Sequence, residues 1–310
     1  MKTRIITGAV YLAILLPLVI INTTLTRRLY AILTMFICFY GTFEIVRAGV
    51  NQNKKNEESS NINVMKYIVP ALSSVFGLLS CYITYIFSNH GMIGASYFIF
   101  IFIYYLFAMF VILCALVIIP NTTIKDFGTC MLGLTYGGLL MAIAFSIRFL
   151  APTHINEYIN LSGTKSFLFV YTIIVLTDSF AMIFGCRFGK HRLAPTISPL
   201  KSVEGAIAGL AGGLLFGIIG LFVYGIINYE SGKIIIVLLI AAVISLIISA
   251  SGQFGDLIES KLKRNYEIKD MGKILPGHGG ILDRFDSLIS AGLVYYVVVV
   301  AIEILMIMIG

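Results

Sequence analysis

Apolar residues along this chain come in long unbroken runs rather than in alternation, and polar residues gather between the runs. A helix that crosses the hydrocarbon core of a bilayer needs about 20 predominantly apolar residues. Nine stretches meet that need: 5–24, 29–48, 66–87, 92–119, 127–149, 166–186, 205–228, 233–257 and 287–309. The pattern predicts an all-α, polytopic membrane helix bundle of about nine spans. The run 92–119 is long enough to tilt or break, and residues 51–63 are polar enough for a flexible loop. Met1-Lys2-Thr3-Arg4 resembles the start of a signal peptide, but no small-residue cleavage site follows and eight more runs do. The first run therefore reads as a retained span.

Composition agrees. Apolar residues make up 59% of the 310 and charged residues 12%, with a mean hydropathy of +0.97. A soluble domain carries about 25% charged residues. There is no Trp, so any interfacial aromatic belt must draw on the 17 Tyr. Cys38, Cys81, Cys114, Cys130 and Cys186 fall in or beside apolar runs without metal-ligand spacing and read as packing residues.

Charge orients the bundle. With the N-terminus inside, 17 of the 22 Lys and Arg fall on the cytoplasmic side; Arg27, Arg28, Arg148, Lys165 and Lys233 fall on the other. The net charge of +7 then reflects cytoplasmic loops beside anionic headgroups, not nucleic-acid binding. The two long charged loops, 187–204 and 258–286, both lie inside.

The second of these loops concentrates the candidate chemistry. Lys261, Lys263, Arg264, Lys269, Lys273 and Arg284 stand among Asp256, Glu259, Glu267, Asp270, Asp283 and Asp286, around a bend at Pro276-Gly277-His278-Gly279-Gly280. Asp256, Glu259, Ser260 and Lys263 form one stripe of a helix that outlasts span eight. Asp283 and Asp286 sit one turn apart at the head of span nine, where free amides and the helix dipole favour phosphate and carboxylate oxygens. Carboxylates so placed can share one or two magnesium ions with substrate phosphates. The bland alternative is helix capping and surface ion pairs.

Asp178 lies within Val175-Leu176-Thr177-Asp178-Ser179-Phe180, about 8 residues or roughly 12 Å from the inner end of span six. An ionisable group at that depth is a functional candidate by default, with a buried interhelical hydrogen bond as the alternative. Lys190, Arg192 and Lys201, with Arg187, make 187–204 a basic, Gly- and Pro-bearing loop suited to a triphosphate or an acidic headgroup. A simple positive-inside loop has much the same composition.

Other polar residues have plainer readings. Glu44 and Arg47 are spaced to pair, Arg148 and Glu303 to snorkel, and His90 and His154 have no partner in sequence. His278 could contact phosphate or shape its turn. Gly205, Gly209, Gly213 and Gly217 recur every four residues, which suits close packing within the bundle, with a homodimer face as the alternative.

Ser260-Lys261-Leu262-Lys263-Arg264, Lys269-Asp270 and Leu275-Pro276-Gly277-His278-Gly279-Gly280-Ile281-Leu282-Asp283-Arg284-Phe285-Asp286 resemble the C-terminal signature of the phosphatidate cytidylyltransferases, the CDP-diacylglycerol synthases. Asp178-Ser179 and the stretch from Ser198-Pro199 through Lys201 to Glu204-Gly205 resemble two further blocks of that family. The chain departs from the family pattern at Met182, Leu200, Ser202 and Val203. The resemblance covers 166–310 well and 1–165 by hydropathy alone. It implies five N-terminal spans over 1–165 and a four-span catalytic region over 166–310.

The implied reaction is transfer of CMP from CTP to phosphatidate with magnesium, giving CDP-diacylglycerol and pyrophosphate at the cytoplasmic face of the inner (plasma) membrane. On this reading Asp178, Asp256, Asp283 and Asp286 are catalytic and hold the metal. Lys263, Arg264, Lys269 and Arg284 neutralise the nucleotide and the leaving pyrophosphate, Lys190, Arg192 and Lys201 serve the lipid headgroup or close over the nucleotide, and Asp270, His278, Ser198 and Glu204 are further substrate-binding residues. The expected partners are CTP, phosphatidate and the lipid bilayer, with no nucleic acid. A transporter of a phosphorylated anion is the rival from another class, and a cytidylyl- or phosphotransferase for another membrane lipid is the rival among enzymes.

Overall fold

A computed structural model of the chain describes residues 2–55, 64–89, 95–120, 122–150, 153–156, 159–226, 234–275, 277 and 279–309. The helices are α1 (Lys2–Ile20), α2 (Thr24–Lys55), α3 (Met65–Asn89), α4 (Ala95–Ile118), α5 (Ile124–Leu132), α6 (Met141–Ser146), α7 (Gly163–Phe188), α8 (Val203–Val223), α9 (Ile234–Asn265) and α10 (Leu282–Ile309). Among the described residues, eight stretches are long and apolar enough to cross a membrane. One of them, Ile124–Phe149, joins α5 to α6 through a π-helical stretch, Gly133–Leu140, and ends in a short 3-10 turn. α4 carries Ile99, Phe100, Phe102, Ile103, Phe107 and Phe110 exposed along its length, the surface that a lipid-facing helix must present.

By its contacts the chain falls into two compact units, Met1–Ser146 with Leu262–Phe285, and Ile147–Lys261 with Asp286–Gly310. The charged loop after α9 thus clusters with the first five spans rather than with the last four.

In the first unit α2 and α3 pack along their length. Tyr30 donates to the Phe145 carbonyl at 3.0 Å and Thr42 to the Gly133 carbonyl at 3.1 Å, tying α2 to the α5–α6 span. Phe145 meets Phe285 edge-on at 4.9 Å between centroids, and Tyr11 meets Phe285 likewise at 5.6 Å. The aromatic residue just before Asp286 is therefore pinned into an apolar core.

In the second unit the glycine stripe of α8 faces the chain's own helices. A Cβ on Gly209 would stand 2.9 Å from the Thr177 carbonyl, and one on Gly213 only 2.7 Å from Ser249 Cβ. The missing side chains let α8 lie close to α7 and α9. Two antiparallel ribbons complete this unit, β1 (Thr153–Asn156) with β2 (Ile159–Leu161) and β3 (Arg192–Ala194) with β4 (Ser198–Ser202). The basic loop after α7 is thus a β-hairpin.

Arg148 does not reach outward from a span end. It is 4% exposed in the 3-10 turn, where Gly163 packs against its backbone. α10 begins at Leu282, five residues before the apolar run that predicts it, and α2 continues through the polar stretch to Lys55.

Candidate active site

The second unit gathers Asp178, Asp256, Asp286 and Lys201. Just before Asp178 on α7, the Thr177 hydroxyl lies 2.8 Å from Ser249 Oγ on α9. Asp178 is exposed, and its charged neighbours are Asp256, Asp286 and Lys201. A carboxylate set beside two others favours a bound cation. Lys201 Nζ meets Asp256 Oδ2 at 2.5 Å, while the Ser260 hydroxyl donates to Asp256 Oδ1 at 3.3 Å. Asp286 Oδ1 accepts the Ser287 amide at 2.7 Å. The buried Ser287 hydroxyl also neighbours Asp178 but finds no hydrogen-bond partner of good geometry among the described residues.

Local structure explains how Lys201 reaches this place. Val203 N donates to the His191 carbonyl at 2.9 Å, and Ser202 caps α8 by accepting the Gly205 amide at 3.1 Å. Glu204 holds the other strand: its carboxylate accepts the Lys190 amide at 3.0 Å and the His191 amide at 3.2 Å, and its Oε1 lies 2.6 Å from His191 Nδ1. The hairpin is fixed at its base, with Ser198 opening β4 opposite Ala194. Lys190 and Arg192 are exposed.

The first unit assembles the other signature residues around Asp283. α9 ends in a Schellman turn, with Ile268 N bonded to the Lys263 carbonyl at 3.0 Å and Glu267 N to that of Arg264 at 3.1 Å. Glu267 takes the left-handed position (φ 54°) that glycine usually fills there. Leu275 and Gly279 exchange backbone hydrogen bonds at 3.0 and 3.2 Å, and the turn needs glycine at Gly277 (φ 77°) and Gly279 (φ 90°). Asp283 Oδ2 accepts the amides of Met271 (2.9 Å) and Gly280 (2.8 Å), and Oδ1 meets Lys263 Nζ at 2.9 Å. Arg264, Lys269, Asp270 and Arg284 are exposed, and His278 lies outside the described residues.

Glu44 is the residue that sequence reasoning missed. It is 2% exposed, and its oxygens accept the amides of Ile281 and Leu282, both at 3.0 Å, at the start of α10. Arg47 contributes its charge nearby. The available signal was the general rule that an acid inside an apolar span is a functional candidate. A cavity of about 330 Å³ lies one turn further along α2, between Arg47 and Asn51 and the segment from Ile268 to Lys273. Lys269, Asp270 and Lys273 share its lining, so three cations face a space at the low end of small-ligand sites.

Asp178, Asp256 and Asp286 are oxygen donors of the kind a hard divalent cation takes, few in number and with several waters kept. Among the described residues, no three His, Cys, Asp or Glu side chains converge as a ready-made metal cage. The arrangement can hold a hydrated cation and polyphosphate oxygens, with basic groups to offset developing negative charge.

The model of the cytidylyltransferase family matches residues 2–302. The chain is 32% identical over 289 residues to the phosphatidate cytidylyltransferase of Staphylococcus haemolyticus (strain JCSC1435), covering 93% of this chain and 94% of that one. It is 31% identical over 290 residues to that of Staphylococcus saprophyticus subsp. saprophyticus, with the same coverage. It is 31% identical over 296 residues to that of Staphylococcus aureus (strain COL), again over 93% and 94%. Matches of this extent decide against the transport reading, and the chain belongs to the cytidylyltransferase family.

Proposed function

We propose that the protein transfers CMP from CTP to phosphatidate, yielding CDP-diacylglycerol and pyrophosphate, at the cytoplasmic face of the inner (plasma) membrane. The observation that carries the reading is the grouping of Asp178, Asp256, Asp286 and Lys201 on membrane-crossing helices and an adjoining hairpin. Acids beside a lysine at such a place can serve a water-soluble nucleotide and a membrane-borne phosphate alike. The named activity of the relatives supports the same substrates.

In the reaction a phosphatidate oxygen bonds to the α-phosphorus of CTP, and the bond from that phosphorus to the bridging oxygen breaks. The lipid phosphate is largely dianionic at neutral pH, so no general base need activate it. What remains is to align two anions and to neutralise the leaving pyrophosphate. Magnesium, held by Asp178, Asp256 and Asp286, would supply charge neutralisation at the phosphates. Asp283 keeps Lys263 and the glycine turn in place. Lys263, Arg264, Lys269 and Arg284 offset the nucleotide charge, with Arg47 and Lys273 lining the cavity that suits its polyphosphate. Lys201, Lys190 and Arg192 meet the lipid headgroup.

Mass spectrometry of lipid extracts tests the proposal. Purified protein with CTP, magnesium and phosphatidate should produce CDP-diacylglycerol and an equal amount of pyrophosphate. A product formed only with another phosphorylated lipid would move the assignment to that lipid.

A further inference from the structure

We infer that Glu44, on a helix outside the signature region, is a positioning residue for the transfer reaction. It fixes the turn that carries Lys263's partner, Asp283. The inference rests on the reading of this region as the transfer site.

Glu44 is withdrawn almost wholly from solvent, at 2% exposure. A buried carboxylate is costly and persists only where charge and hydrogen bonds compensate it. Here it accepts Ile281 N and Leu282 N, two of the free amides that begin α10. The contact reaches across 237 residues of sequence, so no local cap replaces it. Both edges of the glycine turn also close on the same carboxylate, since a Cβ added at Gly272 or at Gly280 would run into the Glu44 oxygens. At those same edges, Met271 (next to Gly272) and Gly280 donate to Asp283, which holds Lys263. Glu44 therefore sets the place of the backbone that places Asp283.

The test is a double-mutant cycle in the full-length protein, with turnover and thermal melting both recorded in detergent. Glu44→Ala should lower kcat by about 10- to 100-fold, the usual scale for loss of a supporting interaction, with little change in KM for CTP or phosphatidate. Glu44→Gln should fall between, because its carbonyl can still accept one amide while its NH2 opposes the other. Gly280→Ala should reproduce the loss by pushing the carboxylate aside. In the Glu44→Ala background the added methyl meets no carboxylate and should cost nothing more. Where Glu44→Ala fails to fold, Glu44→Ser, which also lacks the carboxylate, takes its place in the cycle. Wild-type kcat in both single variants, or losses that multiply in the double, would overturn the inference. Failure of the transfer reading itself would show differently, as a wild-type protein that makes no nucleotide-linked lipid.

Discussion

Asp283 Oδ1 lies 2.9 Å from Lys263 Nζ, with the two side chains 4% and 15% exposed. An ion pair this withdrawn is expensive to break from one side, because the remaining charge is left without its partner; the cost is of order 3 kcal/mol. Lys263→Met keeps most of the volume and removes the charge. It should lower the melting temperature in detergent and reduce kcat by roughly a hundredfold. Thermal melting and steady-state turnover on the same preparation check both parts.

The Lys201–Asp256 pair should behave otherwise. Its side chains are 28% and 30% exposed, and a pair so accessible contributes about 0–1 kcal/mol to stability. Lys201→Gln should therefore leave melting nearly unchanged while turnover with phosphatidate falls at least about tenfold. Parallel loss of both would make Lys201 a structural residue and remove it from the substrate's path.

Much of this arrangement is legible in the sequence because it depends on runs and short spacings. The helical stripe Asp256, Glu259, Ser260 and Lys263 does continue beyond the apolar run, since α9 extends to Asn265. The start of α10 was less visible. Asp283, Arg284 and Asp286 lower the hydropathy of its first turn, and the acid that stabilises that turn comes from α2. No local pattern connects Glu44 to Ile281. The hairpin at β3–β4 was hidden for a related reason, since its hold comes from Glu204 folding back onto the Lys190 and His191 amides. Arg148 shows the limit of position alone: a cation near a span end reads as snorkelling, yet a 3-10 turn packed on Gly163 buries it.

The glycine stripe makes a prediction about packing. A Cβ at Gly213 would lie 2.5 Å from Thr177 Oγ1 and 2.7 Å from Ser249 Cβ. Gly213→Val overpacks a contact that has no slack and should cost about 1–3 kcal/mol. The expected readout is a lower melting temperature in detergent. An unchanged melt would show that α8 does not lie against α7 and α9 as described.

Orientation is open to direct labelling. Thr196 lies in the exposed turn between β3 and β4. In a cysteine-free background, Thr196→Cys should react with a membrane-impermeant maleimide in inside-out vesicles and resist it in intact cells. Labelling from outside would reverse the assigned topology, and with it the cytoplasmic placement of the site.

The most direct test uses CTP labelled either at the α- or at the γ-phosphate, with purified protein, phosphatidate and magnesium, followed by extraction into organic solvent. The account predicts that α-label enters the lipid phase only when phosphatidate and magnesium are both present, and that γ-label stays in water as pyrophosphate. Equal partition of the two labels, or α-label remaining in water with folded protein, would contradict it.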